Sequence, residues 1–255
     1  MPPVPNLRDE ILSYALPTNE DLFAELSTSA HLEDVGKGRR GAVLTRIDET
    51  GNVPLVRTTT RYNNPTQRFR PIHERLAQQI QTHAGLPASF NNALIENYTD
   101  TYRTMGSHSD QALDLADDSF IAVFSCYSHP EASPPRKLIF EPKEPTGEQF
   151  TVPLTHNSVI IFSIKSNQRL RHKIILSPPV QTNNQWLGLT FRTSKTLIQF
   201  HNKHPHLPQG TPLTLANNNQ SQELYTLRRR ENTETTFTYP PLTYTLSQSD
   251  LIPPT

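Results

Sequence analysis

Apolar and polar positions divide the chain into three parts. In the middle part, residues 93–98, 120–127, 137–140, 150–154, 159–163, 173–176 and 186–191 form short runs rich in β-branched or aromatic residues. Turns rich in Gly, Pro, Asn and Ser separate them, and no helical pattern intervenes. Short strands at this spacing predict a two-sheet antiparallel jelly roll. Ahead of them, residues 42–47 and 53–60 read as two strands joined by a turn containing Gly51. Residues 71–83 carry helical spacing through Ile72, Leu76 and Ile80. Residues 9–16 and 19–26 also place apolar side chains three and four apart, which predicts two short helices packed on a sheet. The pattern therefore predicts a mainly β protein with flanking helices. Its parts are an N-terminal helical or loop extension (1–41), a jelly-roll domain (42–196) and a polar, Pro/Thr-rich C-terminal extension (197–255).

Composition narrows the setting. At 255 residues the chain is long enough to bury a core as one large domain with extensions. Hydrophobic residues make up only 34% and prolines number 23, so part of the chain is expected as loop or ordered tail. Lys+Arg and Asp+Glu are both 24, so no global field draws in nucleic acid and any basic surface has to be local. A single cysteine, Cys126, excludes an internal disulfide framework and fits a reducing compartment. The start, MPPVPNLRDEIL, lacks the apolar run of a signal peptide, and no stretch approaches a membrane span. A soluble intracellular protein, in cytoplasm or nucleus and without a membrane partner, is the expectation.

Candidate chemistry gathers in NNALIENYTDTYRTMGSHSD, residues 91–110. On a strand, His108 and Asp110 share a face because side chains alternate. A non-haem Fe(II) oxygenase needs two histidines and one carboxylate on one face, with other positions open. His172 in RLRHKIIL, 64 residues on, is the candidate third ligand. Chance alone yields roughly 0.4 His-x-Asp pairs in a chain of this composition, so the order of elements carries the reading. His31/Glu33 lies in a segment without strand character, and His129/Glu131 straddles Pro130. Only His108/Asp110 is followed by strand-like runs, a histidine and then Arg192 at the end of LGLTFR. A buried arginine needs an anionic partner, which a carboxylate co-substrate held in a bidentate fork supplies. Tyr98 ends the strand leading to His108 and offers a hydroxyl to the same acid, or serves as an ordinary core tyrosine. Arg61, Tyr62 and Arg68 lie in a polar stretch readable as a surface loop or as a lid offering an aromatic and two arginines to a substrate. The turn GKGRRG (36–41), the histidines at 201, 204 and 206, and Arg228 to Arg230 read first as solvated segments.

Together, LIENYTDTYRTMGSHSD, DDSFIAVFSCY, RKLIF, LTHNSVIIFS, RHKII and WLGLTFR resemble the AlkB-like branch of 2-oxoglutarate/Fe(II) dioxygenases. The resemblance spans about residues 54–195. It implies a double-stranded β-helix, with Fe(II), 2-oxoglutarate and O2 used to oxidise a C–H bond and succinate and CO2 released. By position it assigns His108, Asp110 and His172 to the iron and Arg192 and Tyr98 to the co-substrate. The chain departs from the family twice: the usual Asn-x-Tyr is Glu96-Asn97-Tyr98, and the arginine six positions before Arg192 is Trp186. One amide and one cation near the co-substrate are thus replaced. The family's nucleotide-recognition lid falls on residues 61–69, which do not follow the usual pattern. Three functions follow: oxidative demethylation of alkylated nucleic acid, presented as a single strand or flipped base; hydroxylation of a protein side chain or small metabolite; or a non-catalytic jelly-roll binding module. Arg61, Arg68 and Arg228 to Arg230 are the candidate phosphate contacts for the first.

Overall fold

The computed structural model describes residues 7–18, 20–132, 135–145, 147–178 and 183–255. Its larger sheet has the order β1-β10-β7-β12-β6-β3-β2, with β5 paired to β3 off that path. Those strands are β1 (Leu12–Ala15), β2 (Glu33–Gly36), β3 (Arg39–Thr45), β5 (Gln67–Arg68), β6 (Asn92–Tyr98), β7 (Phe120–Tyr127), β10 (Ser158–Ser163) and β12 (Trp186–Arg192). The facing sheet contains β8 (Arg136–Pro142), β9 (Phe150–Leu154) and β11 (Leu170–Ile175) in the order β11-β8-β9. Residues Thr104 and His108 extend that sheet by bridging Ile175 and His172. Two antiparallel sheets closing on one another form the jelly roll, here a double-stranded β-helix.

Alternation along each central strand serves two cores. On β12, Leu187, Leu189 and Phe191 face outward into a cluster with Leu22 and Leu26 of α1 (Leu22–Ser27) and Ile72, Leu76 and Ile80 of α2 (Pro71–Ala84). Trp186, on the other face, joins Ile121, Phe140, Phe162 and Leu170 between the sheets. A strand covered on both sides reads as a nearly continuous apolar run, which is why FIAVFSCY and WLGLTFR have so few polar residues. Helix α2 starts at Pro71 and stops at Gly85, whose φ of 61° is the left-handed cap that glycine adopts without strain.

Several expected elements differ. Residues 9–16, expected as helix, form the end of a 3-10 turn (Leu7–Glu10) followed by strand β1. Over so few residues a period cannot be fixed, and pairing with the free edge of β10 decides the outcome. The expected strand at 53–60 is a strand only at β4 (Val53–Leu55), after which the chain turns to line a cavity. A six-residue helix, α3 (Ile164–Arg169), interrupts the otherwise helix-free run.

The chain after residue 196 is built onto the β-domain. β13 (Thr196–His201) pairs with β4 and with β14 (His204–His206), and β15 (Thr214–Leu215) pairs with β16 (Tyr244–Thr245). Between them, α4 (Asn218–Glu231) is closed at its start by a reciprocal Asn217/Gln220 capping box. Its Leu224 and Leu227 pack with Leu242, Tyr244 and Leu246. Among the described residues, no helix is long and apolar enough to cross a membrane.

Candidate active site

Residues 64 positions apart meet because the segment carrying His108 runs antiparallel beside β11. His108 N–H donates to the His172 carbonyl at 2.9 Å, and His172 N–H donates to the His108 carbonyl at 2.6 Å. The two imidazoles lie 4.7 Å apart, centroid to centroid. Helix α3 fixes the third group: Asp110 N–H donates to Asn167 Oδ1, and Asn167 Nδ2 donates to the Asp110 carbonyl, both at 2.8 Å. Helix α4 completes the loop. Ser109 N–H donates to Asn232 Oδ1, Ala112 N–H donates to Glu231 Oε1, and Arg228 donates to the Ser109 carbonyl.

The resulting donor set suits one metal ion. Asp110 Oδ1 is 3.4 Å from His172 Nε2 and 3.8 Å from His108 Nε2, and the ligand atoms of the three residues lie within 4.8 Å of one another. Ligands about 2.1 Å from a metal and at right angles to each other stand about 3 Å apart, so a small inward shift closes the set. His108 Nδ1 bonds the Gly106 carbonyl at 2.8 Å, which holds that ring with Nε2 turned to the carboxylate. The His172 Nδ1 atom is buried without a partner among the described residues. Burial pushes the His108 imidazole down to about 3, with His172 and Arg228 adding to the effect, so the ring is neutral at ordinary pH, the form a metal ligand needs. Burial works against the charge on Asp110, yet the Arg192 guanidinium and the two imidazoles outweigh it and hold the carboxyl well below its usual range. Arg192 engages Oδ2 alone, through Nε at 2.7 Å and Nη2 at 2.6 Å, and leaves Oδ1 facing the histidines.

These groups open onto a cavity of about 450 Å³. Of the residues singled out in the sequence, His108, Asp110, His172 and Arg192 line it together, as do Arg228 and Arg229 of the basic run, whereas Arg230 does not. Tyr98 does not. Its ring is fully buried against Trp186 and Tyr102, and its hydroxyl donates to Glu96 Oε2 at 2.8 Å. Glu96 does line the cavity, with Oε1 accepting from Arg39 Nε at 2.7 Å. The phenol expected to face a co-substrate is therefore engaged by the residue that stands where the family has an amide. Trp186 donates from Nε1 to Ser125 Oγ at 3.1 Å and lies over Gly188, where an added Cβ would sit 2.1 Å from the indole. The expected lid is not assembled at the cavity either. Tyr62 is buried with its hydroxyl against Gly41, while Arg61 and Arg68 are exposed, and none of the three is among the lining residues.

The sequence reading missed Gln111, Tyr225 and Asn232, and it took Arg39 for part of a solvated turn; all four line the cavity. Arg39 was hidden in a glycine-rich turn that the fold makes into the start of β3. The residues of α4 had a legible signal in Asn217-x-x-Gln220, a capping-box start, but nothing local told where that helix docks.

A double-stranded β-helix with two imidazoles and a carboxylate at its cavity, beside a buried arginine, defines the class of non-haem iron oxygenases. The profile of the 2OG-Fe(II) oxygenase superfamily matches residues 24–192, and the chain belongs to that family. It is a 2-oxoglutarate-dependent dioxygenase, and the family uses Fe(II), 2-oxoglutarate and O2. Among solved structures, OsALKBH1 is similar with a TM-score of 0.50 at 14% identity, over 72% of this chain and 96% of that one. A prolyl-4-hydroxylase from Pseudomonas putida gives 0.42 at 14% identity, over 73% and 96%. A 2OG-Fe(II) oxygenase family oxidoreductase from Burkholderia pseudomallei gives 0.45 at 14% identity, over 74% and 90%. At that identity the likeness to OsALKBH1 speaks for the fold alone. A search of the curated proteins finds no significant match.

Proposed function

We propose that His108, Asp110 and His172 hold Fe(II), that Arg192 holds the 2-oxoglutarate carboxylate, and that the enzyme oxidatively demethylates alkylated nucleic acid. The observation that carries the chemistry is the single cavity onto which the two imidazoles, the carboxylate and the arginine all open. When bound, the iron supplies the O2-dependent oxidation of a C–H bond. The chain supplies position. Arg192 sets the orientation of Asp110 through Oδ2, and its guanidinium retains further N–H donors for a co-substrate carboxylate. Asn167, Asn232 and Arg228 keep the His108–Asp110 backbone in place from two helices. Hydroxylation of an N-methyl group yields a hemiaminal that releases formaldehyde, and the base has to be unstacked to enter the cavity.

For the substrate, support comes from the exposed Tyr225 and Arg229 at the cavity mouth, an aromatic face and a cation on one helix. A second reading, hydroxylation of a protein side chain or small metabolite, is favoured by the formal net charge of zero and by Arg61 and Arg68 lying off the cavity. The test is formaldehyde release from N-methylated single-stranded oligonucleotides, measured beside succinate formation, with His172→Ala as the inactive control. Formaldehyde in step with succinate supports demethylation. Succinate without formaldehyde moves the enzyme to the second reading, and full activity with iron retained in His172→Ala removes that residue from the ligand set.

A further inference from the structure

Gln111 directly follows Asp110, lines the same cavity and is only 5% exposed. Neither its Nε2 nor its Oε1 has a hydrogen-bond partner among the described residues. The backbone around it is held on both sides, by Asn167 at Asp110 and by Glu231 at Ala112. A side-chain amide fixed in place, buried and unpaired is costly for a fold to keep, unless something that binds the cavity completes it.

The shape of the missing partner follows from the amide. It offers an N–H donor beside a carbonyl acceptor in one plane, so it pairs with a group that presents an acceptor beside a donor. Gln makes this two-point contact with the edge of adenine. A peptide unit has the same complementarity, so the rest of the cavity has to decide. Tyr225 and Arg229 stand four residues apart on α4, hence on one face of it, and both line the cavity. Tyr225 is 37% exposed, an apolar ring left at the mouth. Arg228 pairs with Glu231 and Arg230 with Glu234, whereas Arg229 makes no ion pair among the described residues. An edge reader inside, a stacking face at the mouth and an unpaired cation beside it match base edge, base face and phosphate. A peptide would engage the ring and the cation only through particular side chains, whereas every nucleotide carries a base face and a phosphate.

Resting on the nucleic-acid reading above, we infer that Gln111 is a specificity-determining residue that reads the hydrogen-bonding edge of an adenine-type base. Helix α4, which lies outside the stretch matched by the family, supplies the base-stacking and phosphate contacts.

The experiment compares wild type with Gln111→Met, a near-isosteric change that removes both polar atoms. Anaerobic protein loaded with Fe(II) and 2-oxoglutarate is titrated into a fluorescent single-stranded oligonucleotide carrying one N-methylated adenine, with anisotropy as readout. The expected loss of affinity in Gln111→Met is roughly ten- to hundredfold. Replacing the target adenine by a purine lacking the exocyclic nitrogen costs wild type a similar factor and leaves Gln111→Met unaffected. The thermal midpoint of the ligand-free variant is expected to equal or exceed that of wild type, since an unpaired buried amide has gone. A lower midpoint with unchanged oligonucleotide affinity overturns the inference and makes Gln111 structural. A weakened 2-oxoglutarate affinity with unchanged oligonucleotide affinity overturns it in favour of a co-substrate contact. Wild type that forms succinate but binds no oligonucleotide sinks the nucleic-acid reading itself, and the inference with it. Binding with equal affinity in both proteins sinks only the role of Gln111.

Discussion

Removing the charge of Asp114 tests how the C-terminal segment is fastened to the catalytic domain. Asp114 is fully buried and receives three donors from Arg57: the backbone N–H at 2.8 Å, Nε at 3.0 Å and Nη2 at 2.7 Å. The other end of that guanidinium, Nη1, donates to the carbonyls of Leu242 at 2.8 Å and Tyr244 at 3.1 Å. The pair thus ties the loop after the His108/Asp110 motif to the segment that supports α4. Asp114→Asn keeps the shape and one acceptor but leaves the Arg57 cation buried without its counter-charge. Breaking a buried pair in this way costs about 3–5 kcal/mol, and the surviving acceptor argues for the lower end, about 3 kcal/mol. In a domain of this size each kcal/mol moves the thermal midpoint by about 2–4 °C, so the expected fall is about 6–12 °C. Arg57→Met should cost more, because it also strips two buried carbonyls of their donor at about 1–3 kcal/mol each. The two changes together should cost clearly less than their sum, because neither charge is then stranded. Differential scanning calorimetry with circular dichroism gives all three values. A fall below about 1 kcal/mol in Asp114→Asn, or strict additivity in the double variant, would refute the reasoning, since either result means that water already reaches the pair.

Two further outcomes are expected. Lysine cannot reproduce the contact of Arg192 with Asp110 while retaining donors for a carboxylate, so Arg192→Lys should raise the Michaelis constant for 2-oxoglutarate, and an unchanged constant removes Arg192 from that role. Burial pushes the Asp250 carboxyl up to about 6, against the pull of the Thr245 hydroxyl and with Asp114 adding to the rise. The folded state then binds more protons than the unfolded one between about pH 4 and 6, so this contribution is present below that window and lost as pH rises through it. Asp250→Asn should therefore gain up to about 3 kcal/mol over wild type at pH 8 relative to pH 4, and a difference independent of pH would contradict it.

The fold and part of the site were legible for different reasons. Strand alternation is a local property, and burial on both faces made β7 and β12 unmistakable as apolar runs. Arg192 shares a face of β12 with Thr190 by strand alternation, and both line the cavity. His172 was found from element order, because only one strand-borne histidine followed the His-x-Asp pair at a fitting distance. What stayed hidden depends on contacts across long separations. Arg57 meets carbonyls 185 and 187 residues away, and Asn232 caps a backbone group 123 residues before it. No periodicity encodes such docking. Of the two readings of Tyr98, the structure agrees with the core tyrosine: its hydroxyl is taken by Glu96, two residues earlier on the same face. The family comparison had flagged Glu96 as a departure without indicating that its carboxylate would capture the phenol.

Charge shows the same contrast between global and local properties. A formal net charge of zero gives the chain as a whole no pull on an anion. The cavity is locally different: its lining includes Arg39, Arg192, Arg228 and Arg229 against Glu96 and Asp110, with Glu231 balancing Arg228 from behind. Arg39 is matched by Glu96 and Arg192 by Asp110, so the cation left over is Arg229 at the mouth. A divalent ion on the triad would add two positive charges and a dianionic co-substrate would offset them, which would return the balance to that one arginine. Arg229 is exposed, so its attraction for an anion acts through water and is screened by salt. One such cation also implies few phosphate contacts, and hence a shallow dependence of binding on salt, with a slope near −0.7 per phosphate neutralised on a single strand. On the nucleic-acid reading proposed above, an enzyme built this way would hold its substrate chiefly through the base, the task we assign to the unpaired amide of Gln111 and the exposed ring of Tyr225.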